Sequence, residues 1–329
     1  MYQQAYQNEK IEGLHFLVTG GAGFIGSHIA EYLLQHGAKV RVIDNMVSGL
    51  QSNIDLFSDN PNYEFIEGDI RDLEFCKKVC RGIDYISHQA ALGSVPRSLA
   101  EPENTNASNV DGYLNMLIAA KENKVKRIVY ASSSSVYGDS QGLPKVENEI
   151  GNQLSPYAVS KYTNELYAHV FRLNFDMKII GLRYFNVFGP RQNPDGPYAA
   201  VIPLFVDGLL NEKPVYIDGD GEQTRDFTFV ANAVQANIKA LFAPWEKVND
   251  YVFNVAVGEN FSVNTMFDAI KKELDSVTNA TYREPRKGDV RNSLADISRA
   301  KNQLGYNPEF DFHEGLKQTV NYFKTVYSN

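Results

Sequence analysis

Two residues near the middle of the chain have the types and spacing needed for proton transfer: Tyr157 and Lys161, in the segment SPYAVSK. Residues four apart lie on the same face of a helix, so the ammonium would stand beside the phenol. A neighbouring cation stabilises the phenolate and lowers the pKa of the phenol, which could then exchange a proton with a substrate hydroxyl. The spacing alone is uninformative, because Tyr6 and Lys10 share it within a polar N-terminal segment in which we expect no regular structure. Tyr157 differs because it follows Pro156 at the predicted start of a helix.

A row of four serines, residues 132–135, raises a second possibility for chemistry. It follows KRIVYA, which has the apolar composition of a buried strand. Open α/β sheets bind their ligands beyond the carboxyl ends of the strands, so a hydroxyl here could bond the substrate oxygen that Tyr157 addresses. A serine-rich capped turn would explain one or two of these residues. It would not predict a Tyr/Lys pair some twenty residues later, and we therefore favour a functional role.

The segment TGGAGFIG connects a predicted strand to a predicted helix and contains G-x-G-x-x-G at Gly21, Gly23 and Gly26. Such a turn lets the backbone approach a pyrophosphate, which the helix N-terminus then binds through free N–H groups. Asp44 ends the next predicted strand. A carboxylate at that place accepts a hydrogen bond from a ribose 2′-hydroxyl and repels a 2′-phosphate, so the sequence favours NAD over NADP.

These residues must be positioned by an α/β fold. Apolar runs at residues 15–20, 38–44, 63–69, 84–90, 126–132 and 177–185 are predicted strands, and helical stretches lie between them at 27–37, 73–80, 109–123 and 158–174. Such alternation predicts a Rossmann-type doubly wound parallel sheet covered on both faces. Beyond residue 186 the pattern loosens, which predicts a smaller C-terminal α/β domain. A strand near 248–256 could return to the first sheet.

Composition excludes several classes of protein. No run of 18 apolar residues occurs in the 329, so no membrane-spanning helix is expected. The polar start, MYQQAYQNEK, lacks a signal-peptide core, and we expect a cytoplasmic location. The net charge of −8 argues against nucleic acid as a partner. Cys76 and Cys80 have no second cysteine pair, so no metal site is predicted.

Several motifs together carry a family resemblance. TGGAGFIG, Asp44, the serine-rich VYG strand end, YAVSK, NVFGPRQ and RDF resemble the extended short-chain dehydrogenase/reductase family of nucleotide-sugar enzymes. The segments HQAALGSVPRS, LRYFNVFGPRQNPDG and GDVRNSLADIS are similar to those of bacterial UDP-N-acetylglucosamine 4-epimerases. The resemblance implies an NAD-binding domain (1–185, joined by the returning strand), a nucleotide-sugar-binding domain (186–329), and a homodimer. The implied dimer contact is a four-helix bundle formed by residues 109–123 and 158–171.

The resemblance also implies which residues bind the cofactor. Asp69 would contact the adenine, Tyr184 would belong to the nicotinamide pocket, and Lys161 would bond the nicotinamide ribose. The full predicted set is Gly20, Gly23, Phe24, Ile25, Gly26, Asp44, Asn45, Asp69, Ile70, Gln89, Ala90, Ala91, Tyr157, Lys161 and Tyr184.

Members of this family differ in the step that comes after oxidation of the sugar at C4. Dehydratases carry an Asp and a Glu before VYG, where this chain has Ser134 and Ser135, and decarboxylases keep a Glu there. Hydroxyls cannot replace those carboxyl groups in acid–base work, so epimerisation is favoured. The resemblance implies that Tyr157 takes the O4 proton while the C4 hydride passes to NAD and returns to the other face. Ser133 matches the usual hydroxyl partner of this tyrosine, and Ser134 could share its role.

The implied substrate is a UDP-sugar. Arg225 and Arg286 match positions that bind phosphates, and Asp289 matches one that binds a ribose hydroxyl. The remaining implied contacts are Ser94, Arg97, Ser134, Asn186, Val201, Tyr216 and Ser293.

Ser293 bears on the choice of sugar, because related galactose epimerases that accept only small C2 groups have a bulky Tyr at this position. A serine leaves space for an N-acetyl group, although smaller sugars would not be strongly rejected. The expected reaction is therefore UDP-GlcNAc to UDP-GalNAc. UDP-GlcNAcA/UDP-GalNAcA stays open because Arg97 or Arg191 could pair with a C6 carboxylate. Conversion of UDP-glucose to UDP-galactose also stays open, as does a non-catalytic role as an NAD-binding regulator.

Overall fold

The computed structural model describes residues 1–195, 199–285 and 291–328. Its strands are β1 His15–Thr19, β2 Lys39–Asp44, β3 Tyr63–Glu67, β4 Tyr85–His88, β5 Arg127–Ser133, β6 Ile179–Tyr184, β7 Val187–Phe188, β8 Tyr216–Asp218, β9 Thr224–Arg225, β10 Thr228–Phe229, β11 Val252–Val255, β12 Phe261–Ser262 and β13 Thr281–Arg283. Its α-helices are α1 Phe24–Gln35, α2 Gln51–Asp55, α3 Leu73–Val79, α4 Val95–Ala100, α5 Pro102–Asn106, α6 Gly112–Glu122, α7 Pro156–Phe175, α8 Val201–Leu210, α9 Val230–Phe242, α10 Val263–Glu273, α11 Ser298–Leu304 and α12 Phe312–Ser328.

The main sheet has seven strands in the order β11-β6-β5-β4-β1-β2-β3. All of its described pairings are parallel, so every strand delivers its carboxyl end to the same edge. The central strands are apolar throughout because both faces of the sheet are covered; all six residues of β6 are buried. This arrangement confirms the predicted Rossmann-type fold.

Side chains of β1 show how the two faces are filled. Phe16 and Val18 point into a core that also contains residues of α1 and α9. Leu17, between them, points into a second core built on α3, α6 and α7. Successive side chains of β1 therefore pack against the helices on opposite faces of the sheet.

The chain beyond residue 186 contributes to more than one sheet. Strand β11 pairs with β6, with Val252 opposite Gly181 and Val255 opposite Tyr184. Three two-stranded sheets, β7 with β10, β8 with β13 and β9 with β12, lie in the same part of the chain as α8, α10 and α12. The division into domains at residue 185 stays a prediction.

The N-terminal segment has no helix or strand, yet it is packed rather than loose as its polar composition suggested. Tyr2 and Tyr6 are both buried. The Tyr6 ring stacks on Tyr32 of α1 with centroids 5.0 Å apart, and the Tyr2 hydroxyl lies 2.9 Å from His28 Nδ1. Two aromatic residues therefore fix this polar segment to α1.

No helix in the described ranges is long and apolar enough to cross a membrane.

Candidate active site

A cavity of about 430 Å³ lies along the carboxyl ends of the main sheet. Its walls come from the turn after β1 and from the ends of β2 to β6, together with the first turns of α7. All fifteen residues that the sequence predicts for the cofactor line this cavity. The structure therefore brings together glycines, carboxylates and the Tyr/Lys pair from separate stretches of the chain.

The glycine turn at one side of the cavity leaves no space for side chains. A Cβ on Gly26 would lie 2.3 Å from the carbonyl oxygen of Gly20, and a Cβ on Gly20 would lie 2.7 Å from the backbone nitrogen of Ala90. Gly20 also has φ of +67°, which favours glycine. Gly23 is the N-cap of α1, whose first N–H groups have no partner within the helix. Close backbone approach and free N–H groups together suit a pyrophosphate.

Two carboxylates lie at the ends of the neighbouring strands β2 and β3. Asp44 Oδ2 accepts from the Ala22 N–H at 3.1 Å, and its Oδ1 accepts from the Met46 N–H at 2.9 Å. Burial raises the pKa of Asp44, and these backbone donors oppose the shift. Asp69 is held by hydrogen bonds from Arg71, which bring its pKa down to about 2, and by Asn45 Nδ2 at 3.0 Å. Both carboxylates are thus positioned to accept from ribose or adenine groups at this end.

The Tyr/Lys pair lies at the other end of the cavity, where α7 begins beside the end of β5. Ser155 caps α7 by accepting from the Ala158 N–H at 3.2 Å, and Pro156 is the first helical residue. Lys161 Nζ donates to the carbonyl oxygen of Ala131 at 2.8 Å and lies 5.9 Å from the centroid of the Tyr157 ring. This geometry confirms that the two residues share a helix face.

The pKa of Tyr157 differs from the sequence-based expectation. Burial raises it, and a hydrogen bond with Ser133 lowers it only in part, so the net shift is upward. Lys161 is itself desolvated, and its ammonium is bonded to the β5 backbone. Burial lowers the pKa of Lys161 to about 8. The expected lowering of the pKa of the phenol was wrong, because desolvation raises this pKa by more than the Ser133 hydrogen bond lowers it.

The serines of the row differ in environment. Ser132 lines the cavity, but its Oγ donates to Glu165 Oε1 at 2.6 Å. Ser133 lines the cavity and accepts from Ser135 Oγ at 3.0 Å. Ser134 starts a short 3₁₀ turn and does not line the cavity. Of the four serines, Ser133 is thus the one whose side chain bonds Tyr157.

A second cavity, of about 660 Å³, adjoins the first through three shared residues, Asn186, Val187 and Gln192. Four of the predicted substrate residues line it: Asn186, Val201, Tyr216 and Arg225. Sequence reasoning missed other polar residues of this wall, namely Gln192, Asp207, Lys213, Asp218, Gln223 and Arg283. Arg283 pairs with Asp218 across the β8–β13 ladder, a long-range contact without a local sequence signal.

Some predicted substrate residues line neither cavity: Ser94, Arg97, Ser134 and Ser293. Ser94 instead caps α4, and its Oγ accepts from the Arg97 N–H at 3.3 Å. Ser293 is buried, and its N–H donates to the Thr224 carbonyl at 3.1 Å. Arg286 and Asp289 lie outside the described residues. The roles of all these residues stay predictions.

Gln192 has a position that its sequence context did not reveal. Its Nε2 donates to the Val187 carbonyl at 3.2 Å, and its Oε1 is buried with no hydrogen-bond partner among the described residues. A buried acceptor without a partner carries a free-energy cost that a ligand donor would relieve. The only local signal was its place in NVFGPRQ.

Tyr184, by contrast, has its hydroxyl fully engaged on the protein side. It accepts from Asn237 Nδ2 at 2.6 Å and donates to Gln89 Oε1 at 3.1 Å. Burial raises the pKa of Tyr184. The Tyr184 phenol is therefore held as a neutral part of the cavity wall.

Within the described stretches, no group of three His, Cys, Asp or Glu side chains could hold a metal ion.

The fold and this site define the class of protein. Residues 16–256 match the NAD dependent epimerase/dehydratase family, and the chain belongs to that family. The glycine cradle at the start of α1 and the carboxylate of Asp44 fit its cofactor, NAD.

Three relatives show how close the similarity is. The chain is 40% identical over 310 residues to a putative UDP-glucose 4-epimerase of Methanocaldococcus jannaschii, covering 94% of this chain and 98% of that protein. The UDP-N-acetylglucosamine 4-epimerase of Methanobrevibacter ruminantium, solved with UDP-N-acetylmuramic acid, is 40% identical with a TM-score of 0.90, over 96% of this chain and 99% of the other. The UDP-glucuronic acid 4-epimerase of Bacillus cereus, solved with UDP-glucuronic acid and NAD, is 31% identical with a TM-score of 0.87, over 95% and 100%.

Proposed function

We propose that the protein is an NAD-dependent UDP-sugar 4-epimerase that interconverts UDP-GlcNAc and UDP-GalNAc. The observation that carries this proposal is that Tyr157, Lys161 and Ser133 line the cofactor cavity, which adjoins the second cavity through Asn186, Val187 and Gln192. A sugar that extends from the second cavity into the first would bring its C4 hydroxyl to the phenol. The three relatives are described as 4-epimerases of UDP-glucose, UDP-N-acetylglucosamine and UDP-glucuronic acid, so they support 4-epimerisation of a UDP-sugar, and the second of them supports the choice of UDP-GlcNAc.

Tyr157 and the side chains around its phenol have separate roles in the proposed reaction. Tyr157 takes the proton from the sugar O4 and later returns it, and Ser133 bonds the phenol to orient it. Lys161 places a positive charge near the phenol, which favours the phenolate that accepts the O4 proton. Bound NAD would accept the C4 hydride and return it to either face of the 4-keto sugar. The sugar must turn over in between, and the 660 Å³ of the second cavity supplies space for this.

Elimination of water is disfavoured by the groups around the phenol. Ser134 and Ser135 stand where dehydratases carry carboxyl groups, and Ser135 Oγ is bonded to Ser133. Among the described residues of the first cavity, the acidic ones are Asp44 and Asp69, both at the adenosine end. No carboxyl group of that cavity's described lining is thus available to act as the acid or base of dehydration.

The contacts of Arg191 bear on which group the sugar carries at C6. Arg191, one candidate for a C6 carboxylate, forms a partly buried ion pair with Glu31 and bonds Ser27 Oγ at 3.4 Å. A guanidinium whose charge is already paired with one carboxylate binds a second carboxylate only weakly. This contact supports a C6 hydroxyl over a uronic acid, and small Ser293 supports an N-acetyl group at C2.

We also propose that the protein is a homodimer. Val159, Leu166, Val170 and Leu173 of α7 are each 46–74% exposed, and their spacing places them along one face of the helix. Leu99 of the neighbouring α4 is also exposed. A second copy that packs against α6 and α7 would bury this stripe in a four-helix bundle. A cytoplasmic location likewise stays a prediction.

A product assay tests the proposed function. The enzyme is incubated with UDP-glucose, UDP-GlcNAc, UDP-glucuronic acid or UDP-GlcNAcA, and the C4 epimer is measured by chromatography without added NAD. Conversion of UDP-GlcNAc with the highest kcat/KM is expected, with no net formation of NADH. Preference for an acidic sugar would overturn the C6 argument, and no conversion of any of the four would favour the NAD-binding regulator.

Ser293→Tyr tests the choice at C2. It is expected to reduce kcat/KM for UDP-GlcNAc much more than for UDP-glucose, because a bulky ring would fill the space for the N-acetyl group. An equal reduction for both sugars would refute the role of residue 293.

A further inference from the structure

A buried polar network lies behind the Tyr/Lys pair and takes no part in the proposed chemistry. Glu165 of α7 accepts from Ser132 Oγ at 2.6 Å and from Arg183 Nε at 2.9 Å through Oε1, and from Arg183 Nη2 at 2.7 Å through Oε2. Arg183 Nη1 donates to the Glu147 carbonyl at 2.9 Å. Ser132, Glu165 and Arg183 are at most 7% exposed. Both oxygens of the carboxylate are thus bonded to other elements of the fold.

Each member of the network is a near neighbour of a residue of the active site. Ser132 precedes Ser133 on β5, and Arg183 precedes Tyr184 on β6. In the parallel register Ser132 lies opposite Arg183, and the next pair is Ser133 with Tyr184. The network therefore fixes Ser132, which itself lines the cofactor cavity, and Arg183, which directly precedes the lining residue Tyr184.

On helix α7, too, the network residue is aligned with residues of the active site. Tyr157, Lys161 and Glu165 occur at intervals of four, so they lie along one face of α7. A sliding or rotation of α7 would move all three together. Glu165 is hydrogen-bonded to both β5 and β6. These bonds fix the position of α7, and with it the Tyr157 phenol, relative to the carboxyl ends of the two strands.

The Glu165–Arg183 ion pair is better suited to fixing the position of α7 than to stabilising the fold. A buried ion pair contributes little net stability compared with well-packed apolar residues of similar volume, because both charges lose their hydration. Its geometry, however, is narrowly defined, since the guanidinium and the carboxylate meet through two parallel hydrogen bonds. Such a pair suits a place where relative position matters more than stability.

We propose that the Ser132–Glu165–Arg183 network is a positioning device that sets the distance of Tyr157 from Ser133 and from the cofactor. The residues are positioning residues, since none of them is required to contact the reacting atoms. This inference rests on the proposed epimerase activity for its kinetic test, and on a spectroscopic test that does not require turnover.

The main test replaces the pair by apolar residues, in the double variant Glu165→Met/Arg183→Met of the NAD-bound enzyme. The fold and Tm are expected to be preserved, because the variant buries no unpaired charge. We expect kcat to fall about 100-fold, since displacement of a reacting group by about 1 Å has this effect. KM for the UDP-sugar should change less than about threefold, since the second cavity is untouched. Ser132→Ala, which removes only the link to β5, should lower kcat by a smaller factor in the same direction.

A matched control is a hydroxyl of α7 that bonds only within its own helix. Thr163 Oγ1 donates to the Val159 carbonyl at 2.9 Å. Thr163→Ala removes a hydroxyl from the same helix but leaves the network intact, and kcat should be unchanged. If Thr163→Ala and Ser132→Ala lower kcat equally, the effect belongs to α7 in general and the proposal is overturned.

The second readout is the fluorine NMR spectrum of NAD-bound enzyme labelled with fluorotyrosine, in which Tyr157→Phe assigns the Tyr157 signal. That signal should move or broaden in the double variant and in Ser132→Ala, and stay in place in Thr163→Ala. An unchanged signal together with wild-type kcat in the double variant would refute the positioning role. Inactivity of the wild type with every UDP-sugar would instead refute the proposed function, and the NMR comparison would still decide the inference.

Discussion

Lys161 should make the folded chain less stable at neutral pH, and its replacement by methionine should reveal the size of this effect. Burial lowers the pKa of this side chain from 10.5 to about 8. Each tenfold change in proton affinity corresponds to about 1.4 kcal/mol, so keeping the amine charged inside the fold costs about 3 kcal/mol at pH 7. Lys161→Met removes this cost but also removes the hydrogen bond to the Ala131 carbonyl, whose loss costs about 1 kcal/mol. The expected net gain in the free energy of unfolding at pH 7 is about 2 kcal/mol.

The effect of Lys161 on folding stability should depend on pH. The unfolded chain keeps its proton at Lys161 up to about pH 10.5, whereas the folded chain releases it near pH 8. Folding stability of the wild type therefore rises with pH between these values, and the full penalty is present below pH 8. The advantage of Lys161→Met should shrink over the same interval and become a small disadvantage near pH 10.5.

Urea unfolding of NAD-free protein at pH 7, 8, 9 and 10, for the wild type and the variant, measures this difference. Lys317→Met is the control, because Lys317 is exposed on α12 and its replacement should change stability by less than about 0.5 kcal/mol. A difference between wild type and Lys161→Met that is constant across this range, or that favours the wild type at pH 7, would refute the reasoning. In either case the ammonium would not be the destabilising group.

Three further outcomes are expected. Tyr157→Phe should lower kcat by roughly 10²–10⁴-fold while NAD stays bound, because general base catalysis contributes about that much; wild-type turnover would remove the phenol from the mechanism. Gly26→Ala should lose bound NAD, measured as nucleotide released on denaturation, because its Cβ would lie 2.3 Å from the Gly20 carbonyl and both atoms are held by the backbone. Full NAD occupancy in that variant would contradict the tight cradle. Leu166→Glu, on the exposed face of α7, should shift the mass in sedimentation analysis from dimer to monomer, and a monomeric wild type would disprove the proposed interface.

Much of the site could be predicted because its determinants are local. The turn at Gly20–Gly26 lies between a strand and a helix that are both evident in the sequence, and Asp44 ends the next strand. Parallel strands share one edge, so residues at their carboxyl ends converge without further information. This is why fifteen predicted positions line a single cavity.

The features that could not be predicted depend on contacts between distant parts of the chain. Arg191 seemed available to a C6 carboxylate, but it pairs with Glu31, 160 residues away. Ser132 and Ser133 look equivalent in the sequence, and only the packing of α7 against β5 directs one to Glu165 and the other to Tyr157.

The pKa of Tyr157 failed as a prediction for a related reason. Spacing along a helix gives the neighbour of a group, whereas the loss of water around that group depends on every element packed over it. The buried N-terminal tyrosines, Tyr2 and Tyr6, illustrate the same limit, since nothing in their polar neighbours indicates that Tyr32 and His28 will receive them.

The late return of β11 to the main sheet has a practical consequence for anyone who wishes to study the nucleotide-binding half by itself. A fragment that stops at residue 185 would leave the backbone amides and carbonyls of β6 without the partners that Val252–Val255 supply. A fully buried strand whose edge is left open is a template for pairing with another molecule. Such a fragment would aggregate, and the two halves must be expressed as one polypeptide or as two pieces that are allowed to fold together.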